Sequence, residues 1–179
     1  MNDIQKISKR LRILFQCMLA IVPIGVLGFW LSATSNYDFH QLTGLGINVA
    51  DFTSYPLTAT AKGLALLLSG LLTLIPLYAL VKLIRLFKNY ENMQLFTLDN
   101  AITYHQLGRS LLLWVVCGFI YGGIMSVVLS FNNPPGERVI SLSFTGIDFL
   151  ALICAFLVMV ISRVMQKGYS LAEENSHTI

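Results

Sequence analysis

Four stretches of this chain are free, or nearly free, of charge over the length that a membrane demands. No other feature constrains the fold as much. Residues 13–33, 63–81 and 110–131 contain no charged side chain, and residues 139–162 contain only Asp148. A bilayer's hydrocarbon core, about 30 Å thick, is crossed by about 20 residues of helix. Inside lipid the backbone must satisfy its own hydrogen bonds, which a helix does within one segment. The expectation is an all-α integral membrane protein with four transmembrane helices in one domain, built as a four-helix bundle. The spans fall at about 11–33, 60–88, 98–131 and 142–166. Composition agrees: 55% of the 179 residues are hydrophobic and only 12% are charged, against about 25% charged in an average soluble domain. That excludes a soluble enzyme, a disordered chain and a free nucleic-acid binder. The first run follows Lys6, Lys9, Arg10 and Arg12, but it is longer than a signal-peptide core and Leu31-Ser32-Ala33 is a poor cleavage site. It reads as an uncleaved span.

Orientation follows from the basic residues beside the spans. Lys6, Lys9, Arg10, Arg12, Lys82, Arg85, Lys88, Arg109, Arg163 and Lys167 fall on one side; only Lys62 and Arg138 fall on the other. Both termini and the central connection are therefore expected in the cytoplasm. The net charge of +3 is too small to argue for nucleic acid.

The first outer connection, 34–59, is broken by Gly44, Gly46 and Pro56, yet carries Phe39, Leu42, Leu45, Ile47, Val49 and Phe52. It is too apolar for a free linker and should pack on the helix ends. The second, 132–141, contains the turn-forming run Asn132-Asn133-Pro134-Pro135-Gly136. Residues 82–94 continue the second helix, and Thr97 is a good N-cap for the third, with Asp99 in its first turn. Helices two and three are thus expected to extend into the cytoplasm, joined by residues 89–97, with residues 167–179 as a tail.

Leu95-Phe96-Thr97-x-x-Asn100 followed by Leu107-Gly108 resembles a short F-[ST]-x-x-N … G signature. The ending Gly168-x-x-Leu171-x-Glu173-Glu174 with Thr178-Ile179 is similar to a G-x-x-L-x-E-E … L-T-[VI] pattern, departing from it at His177, where the pattern has Leu. With four spans, the chain resembles the bacterial family catalogued as domain of unknown function 2975. The resemblance implies a small bacterial inner-membrane protein with no established activity, often encoded beside a helix-turn-helix regulator. It implies no catalytic residues.

Few residues in the spans invite chemistry. Asp148 is either an outer-leaflet ion or proton site, paired with Lys62, or a first-turn acid of the fourth helix. Pro23 and Pro76 are either hinges or static kinks; Ser69 and Thr73 stand upstream of Pro76, where their hydroxyls can serve the carbonyls it frees. Gly118, Gly122 and Ser126, at four-residue spacing, would let another helix approach closely, within the chain or in a homo-oligomer. Cys17, Cys117 and Cys154 lie in apolar runs without metal-ligand spacing and read as small buried residues. His40, His105 and His177 lie far apart, and no catalytic motif or phosphate loop is present. No cofactor or metal is expected, and no enzymatic role.

The best functional surface is the cytoplasmic face. Arg85, Lys88, Phe96, Thr97, Asn100, Glu173 and Glu174 are candidates for docking a soluble partner, against a plain reading as lipid contact and solvated charge. The leading expectation is a membrane sensor or tether for a cytoplasmic regulator, of the helix-turn-helix kind that the family resemblance implies. The alternative is a small oligomeric transporter or channel for a lipophilic or small solute.

Overall fold

A computed structural model describes residues 3–32 and 49–177; the side chains of residues 32, 50, 172 and 174–177 lie outside that description. The expectations for His40 and for residues 34–48, for the Glu174 side chain, and for Thr178-Ile179 therefore concern residues outside the described part.

The chain forms four long helices: α1 (Asp3–Ser32), α2 (Ala59–Glu91), α3 (Leu98–Ser130) and α4 (Gly146–His177), with one short 3-10 turn, Val49–Asp51. All four are long and apolar enough to cross a membrane. Their boundaries have local causes. The Thr58 hydroxyl caps α2 by accepting from the Ala61 amide at 3.3 Å, and Thr97 caps α3 by accepting from Asn100 N at 3.2 Å. Met93, with φ 60°, turns the chain out of α2. Asp99 adds a first-turn acid to α3. Residues 134–137 form a β-turn closed by Glu137 N to Pro134 O at 3.1 Å. Gly136 has φ +100°, a conformation that side-chain-bearing residues resist.

Extended packing joins α1 to α2, α2 to α3, and α3 to α4; α1 and α4 share no such interface. Among the described residues the extensive contacts therefore follow chain order, so that the four helices form a row. Helices consecutive in the chain pack on each other, whereas closing the ring would need an attraction between α1 and α4 that lipid-like side chains do not provide. The outward surfaces of both flanking helices are apolar instead, with Ile21, Ile24 and Leu27 exposed on α1 and Phe149, Phe156 and Leu157 exposed on α4. Cys17 and Cys154 also lie on these exposed surfaces, and only Cys117 is partly buried, so two of the three cysteines are not the buried residues expected.

The core sits where α1, α2 and α3 meet: Val26, Phe29, Trp30, Ala65, Leu72, Tyr121, Met125 and Leu129. Val49, 1% exposed, plugs it from the first outer connection, and Phe52 and Leu57 pack beside it. That part of the connection is packed, as its apolar content implied.

Contacts fix the helix registers. At the end bearing the 92–97 connection, Gln5 and Arg12 of α1 reach Glu91, and Ser162 of α4 reaches Ala101. The segment from 167 is helical through His177. At the opposite end Trp30 of α1 lies beside Ser69 and α2 runs on to Ala59.

Candidate functional site

The α2–α3 connection is built around Asn100, which is 0% exposed. Its Nδ2 donates to Gln94 O at 2.6 Å and to Leu95 O at 2.9 Å. Its Oδ1 accepts from Asn89 Nδ2 at 2.8 Å. Both amide hydrogens are thus used, and the amide oxygen has a donor. The side chain clamps both ends of the reversal, because α2 contributes Asn89 and the turn contributes two carbonyls. Around this clamp Arg85 makes a two-point ion pair with Asp99, Nη2–Oδ1 2.7 Å and Nε–Oδ2 3.1 Å. Arg12 of α1 pairs with Glu91 at 2.9 Å. The Tyr90 and Tyr104 hydroxyls bond at 2.6 Å. Tyr90 lies beyond the charge-free run of α2, and burial, reinforced by the Tyr104 bond, pushes its phenol well above the ordinary tyrosine range.

The expected docking residues separate into two groups. Asn100 is buried and Thr97 is a half-buried cap, so neither is a free surface contact. Their polar groups go to closing the turn, which is the physical content of the F-T-x-x-N pattern. Arg85, Lys88 and Phe96 are exposed, and Phe96 is the most so, at 71%. Glu173 is exposed on α4, three helical turns past Ser162.

Two polar clusters escaped the sequence reading. Ser69 lies in the apolar middle of α2. Its hydroxyl donates to Ala65 O at 2.7 Å. It accepts from Trp30 Nε1 at 2.8 Å. Its one proton being used, the 2.7 Å contact with Tyr121 has the tyrosine hydroxyl as donor. One oxygen thereby ties α1, α2 and α3. Thr73 donates to Ser69 O at 2.6 Å. Neither hydroxyl therefore goes to the Leu72 carbonyl that Pro76 frees, contrary to expectation. Pro76 and Pro23 both sit inside continuous helices.

The second cluster holds the outer connection. Asn133 donates to Phe52 O (2.8 Å) and Glu137 O (3.1 Å) and accepts from Thr53 Oγ1 (2.8 Å). Beyond it the chain runs back along α3 in extended form. Val139 N donates to Ser130 Oγ at 3.2 Å and Ser141 N to Ser126 Oγ at 3.0 Å. The spacings match: four residues of helix rise about 6 Å, and two extended residues advance about 6.6 Å. Ser126 is therefore a backbone acceptor. A Cβ on Gly118 or Gly122 would meet nothing within 4 Å, so these glycines do not seat another helix of the chain. The close approaches occur at Gly108, where a Cβ would lie 2.5 Å from Met159 Cγ and 3.1 Å from Ala155 O, and at Gly123, against Leu142.

Asp148 is the first-turn acid of α4. Its Oδ2 accepts from Thr145 N and Thr145 Oγ1, both at 2.7 Å. The Thr145 hydroxyl faces Asp148 N at 3.4 Å, completing a reciprocal cap. No ion pair joins it to Lys62 among the described residues, because α4 packs on α3 and not on α2. Nor, among those residues, do three His, Cys, Asp or Glu side chains gather as a metal site would need.

No curated protein and no solved structure matches the chain. A family model described as a protein of unknown function, DUF2975, matches residues 47–179. The match runs from the 3-10 turn to the end of the sequence and includes both the Asn100 clamp and the α4 extension. With three of its four helices, the F-T-x-x-N segment and the tail pattern inside that match, this chain belongs to the DUF2975 family.

Proposed function

We propose that this multi-pass membrane protein acts by protein contact, as a membrane sensor or a tether for a cytoplasmic regulator. We place it in the bacterial inner membrane with both termini and the 92–97 connection in the cytoplasm, on the distribution of basic residues. One observation carries the reading. Phe96 is 71% exposed at the tip of a turn whose backbone is clamped by a fully buried asparagine. A large aromatic held out on a fixed turn loses little freedom when it inserts into a partner's pocket, which is how interface anchors work. Lys88, exposed in the last turn of α2, adds a positive charge close in sequence to the turn, suited to an acidic rim on the partner, whereas Arg85 is paired with Asp99. A helix-turn-helix regulator of the kind implied by the family resemblance is the partner we favour. The chemistry proposed is non-enzymatic.

Transport has less support. The hydroxyls of Ser69, Thr73, Tyr121 and Ser126 are all engaged inside the fold. Gln16 and Tyr78 remain exposed, too few to line a polar path.

The test is photocrosslinking in cells from a probe at position 96, with position 142 as control. A discrete adduct with one soluble regulator at 96, absent at 142 and lost in a Lys88→Glu background, is expected. Adducts with lipid alone, or with the protein itself alone, would sink the contact hypothesis.

A further inference from the structure

The seam between α2 and α3 opens into a groove of about 730 Å³, lined by Leu74, Tyr78, Arg109, Leu113 and Val116 among others. A second recess of about 210 Å³ shares Ile75 with it and continues along Leu71, Ile120 and Ile124. Every lining residue belongs to α2 or α3. In a row of helices the two flanking members leave this face of the central seam uncovered. From Arg109 to Ile124 the furrow follows α3 for roughly 22 Å, more than one leaflet of a core about 30 Å thick.

The walls are apolar and the polar groups gather at one end. Arg109 and Gln106 line that end. Lys82 stands one helical turn from Tyr78, its Nζ over the tyrosine ring at 5.1 Å from the centroid. Two neighbouring cations are already paired, Arg12 with Glu91 and Arg85 with Asp99. Arg109 and Lys82 have no carboxylate within 4.0 Å among the described residues. They are also the first cations after the charge-free runs of α3 and α2. That places them at the level of the bilayer's phosphates, where basic pockets between helices meet anionic headgroups.

Two uncompensated cations at the head of a long apolar furrow complement an amphiphile with an anionic head. We propose that the α2–α3 groove is a binding site for an anionic phospholipid, its phosphate held between Arg109 and Lys82 and one acyl chain laid along Leu74, Leu113 and Val116. A free phosphate would meet the charges but leave the apolar wall bare. This site is separate from the Phe96 surface and does not depend on it.

The experiment is native mass spectrometry of the full chain released from vesicles of equal phosphatidylglycerol and phosphatidylcholine. Retention of phosphatidylglycerol over phosphatidylcholine by about tenfold or more is expected, with the preference falling about fivefold for each cation removed in Arg109→Gln and Lys82→Gln. Leu113→Trp fills the groove without touching the charges and should reduce retention of both lipids. It also serves as the second variant should a cation variant fail to fold. Equal retention of the two lipids, an unchanged preference in a folded cation variant, or unchanged retention in Leu113→Trp would each overturn the proposal. Displacement of the lipid by inorganic phosphate would overturn it too, by assigning the site to a free anion.

Discussion

Asn100 is where one side chain does most for the architecture. Its amide donates to the carbonyls of Gln94 and Leu95, and it is wholly shielded from water. Truncation leaves buried polar groups unpaired, which costs about 1–3 kcal/mol for each such group. Asn100→Ala is expected to destabilise the protein by about 3 kcal/mol in thermal unfolding in detergent. Arg85→Ala, which breaks only a half-exposed ion pair, should cost under about 1 kcal/mol. Equal losses would show that the clamp is unimportant. The sequence pointed to Thr97 as a cap because caps follow local rules. It put Asn100 on the surface because nothing local says where a polar side chain points once two helices fold back on each other. Asp148 shows the reverse case. Its T-x-x-D spacing is a local signal, and the first-turn reading of this acid is the one the structure contains.

Helix pairing turned on glycines that spacing alone ranks wrongly. The four-residue repeat drew attention to Gly118 and Gly122, but the glycine in tight contact with α4 is Gly108, against Met159 and the Ala155 carbonyl. Small-residue spacing identifies a smooth face and says nothing about what covers it. Gly108→Ala overpacks the α3–α4 contact and should cost about 1–3 kcal/mol, since the nearby Ala155 carbonyl belongs to helix backbone. Gly118→Ala and Gly122→Ala have open space and should stay within about 0.5 kcal/mol of the parent. Detergent melting curves of the three variants decide this. A large loss at Gly118 or Gly122 would mean that the face is occupied by a second copy. The serine ladder was equally hidden. Ser126 and Ser130 read as ordinary small residues of a span until residues 139–141 are seen lying against them.

The whole molecule is a row, and its consequences follow from what each flanking helix lacks. Among the described residues α1 packs chiefly on α2 and α4 chiefly on α3, so each turns a wide apolar surface outward. In a cysteine-free background, Arg12→Cys with Glu91→Cys should link readily through a flexible bis-maleimide, because those side chains already meet. Leu14→Cys with Phe156→Cys, joining α1 to α4, should not link within one chain. An intramolecular α1–α4 product would close the ring and refute the row.

Four apolar runs of span length, three uncharged and one carrying only Asp148, were enough to determine a four-helix membrane protein, because a lipid environment leaves a chain of this hydropathy no other way to satisfy its backbone. Residues 95–100, with the spans and the tail pattern, were enough to point to its family. Tertiary structure alone decided that the helices form a row, that Asn100 faces inward while Phe96 faces out, and that Arg109 and Lys82 head an open groove. Local patterns report what each segment does with its own backbone. Which faces meet depends on contacts between residues distant in sequence, such as Ser69 with Trp30 and Tyr121, and no single segment encodes those.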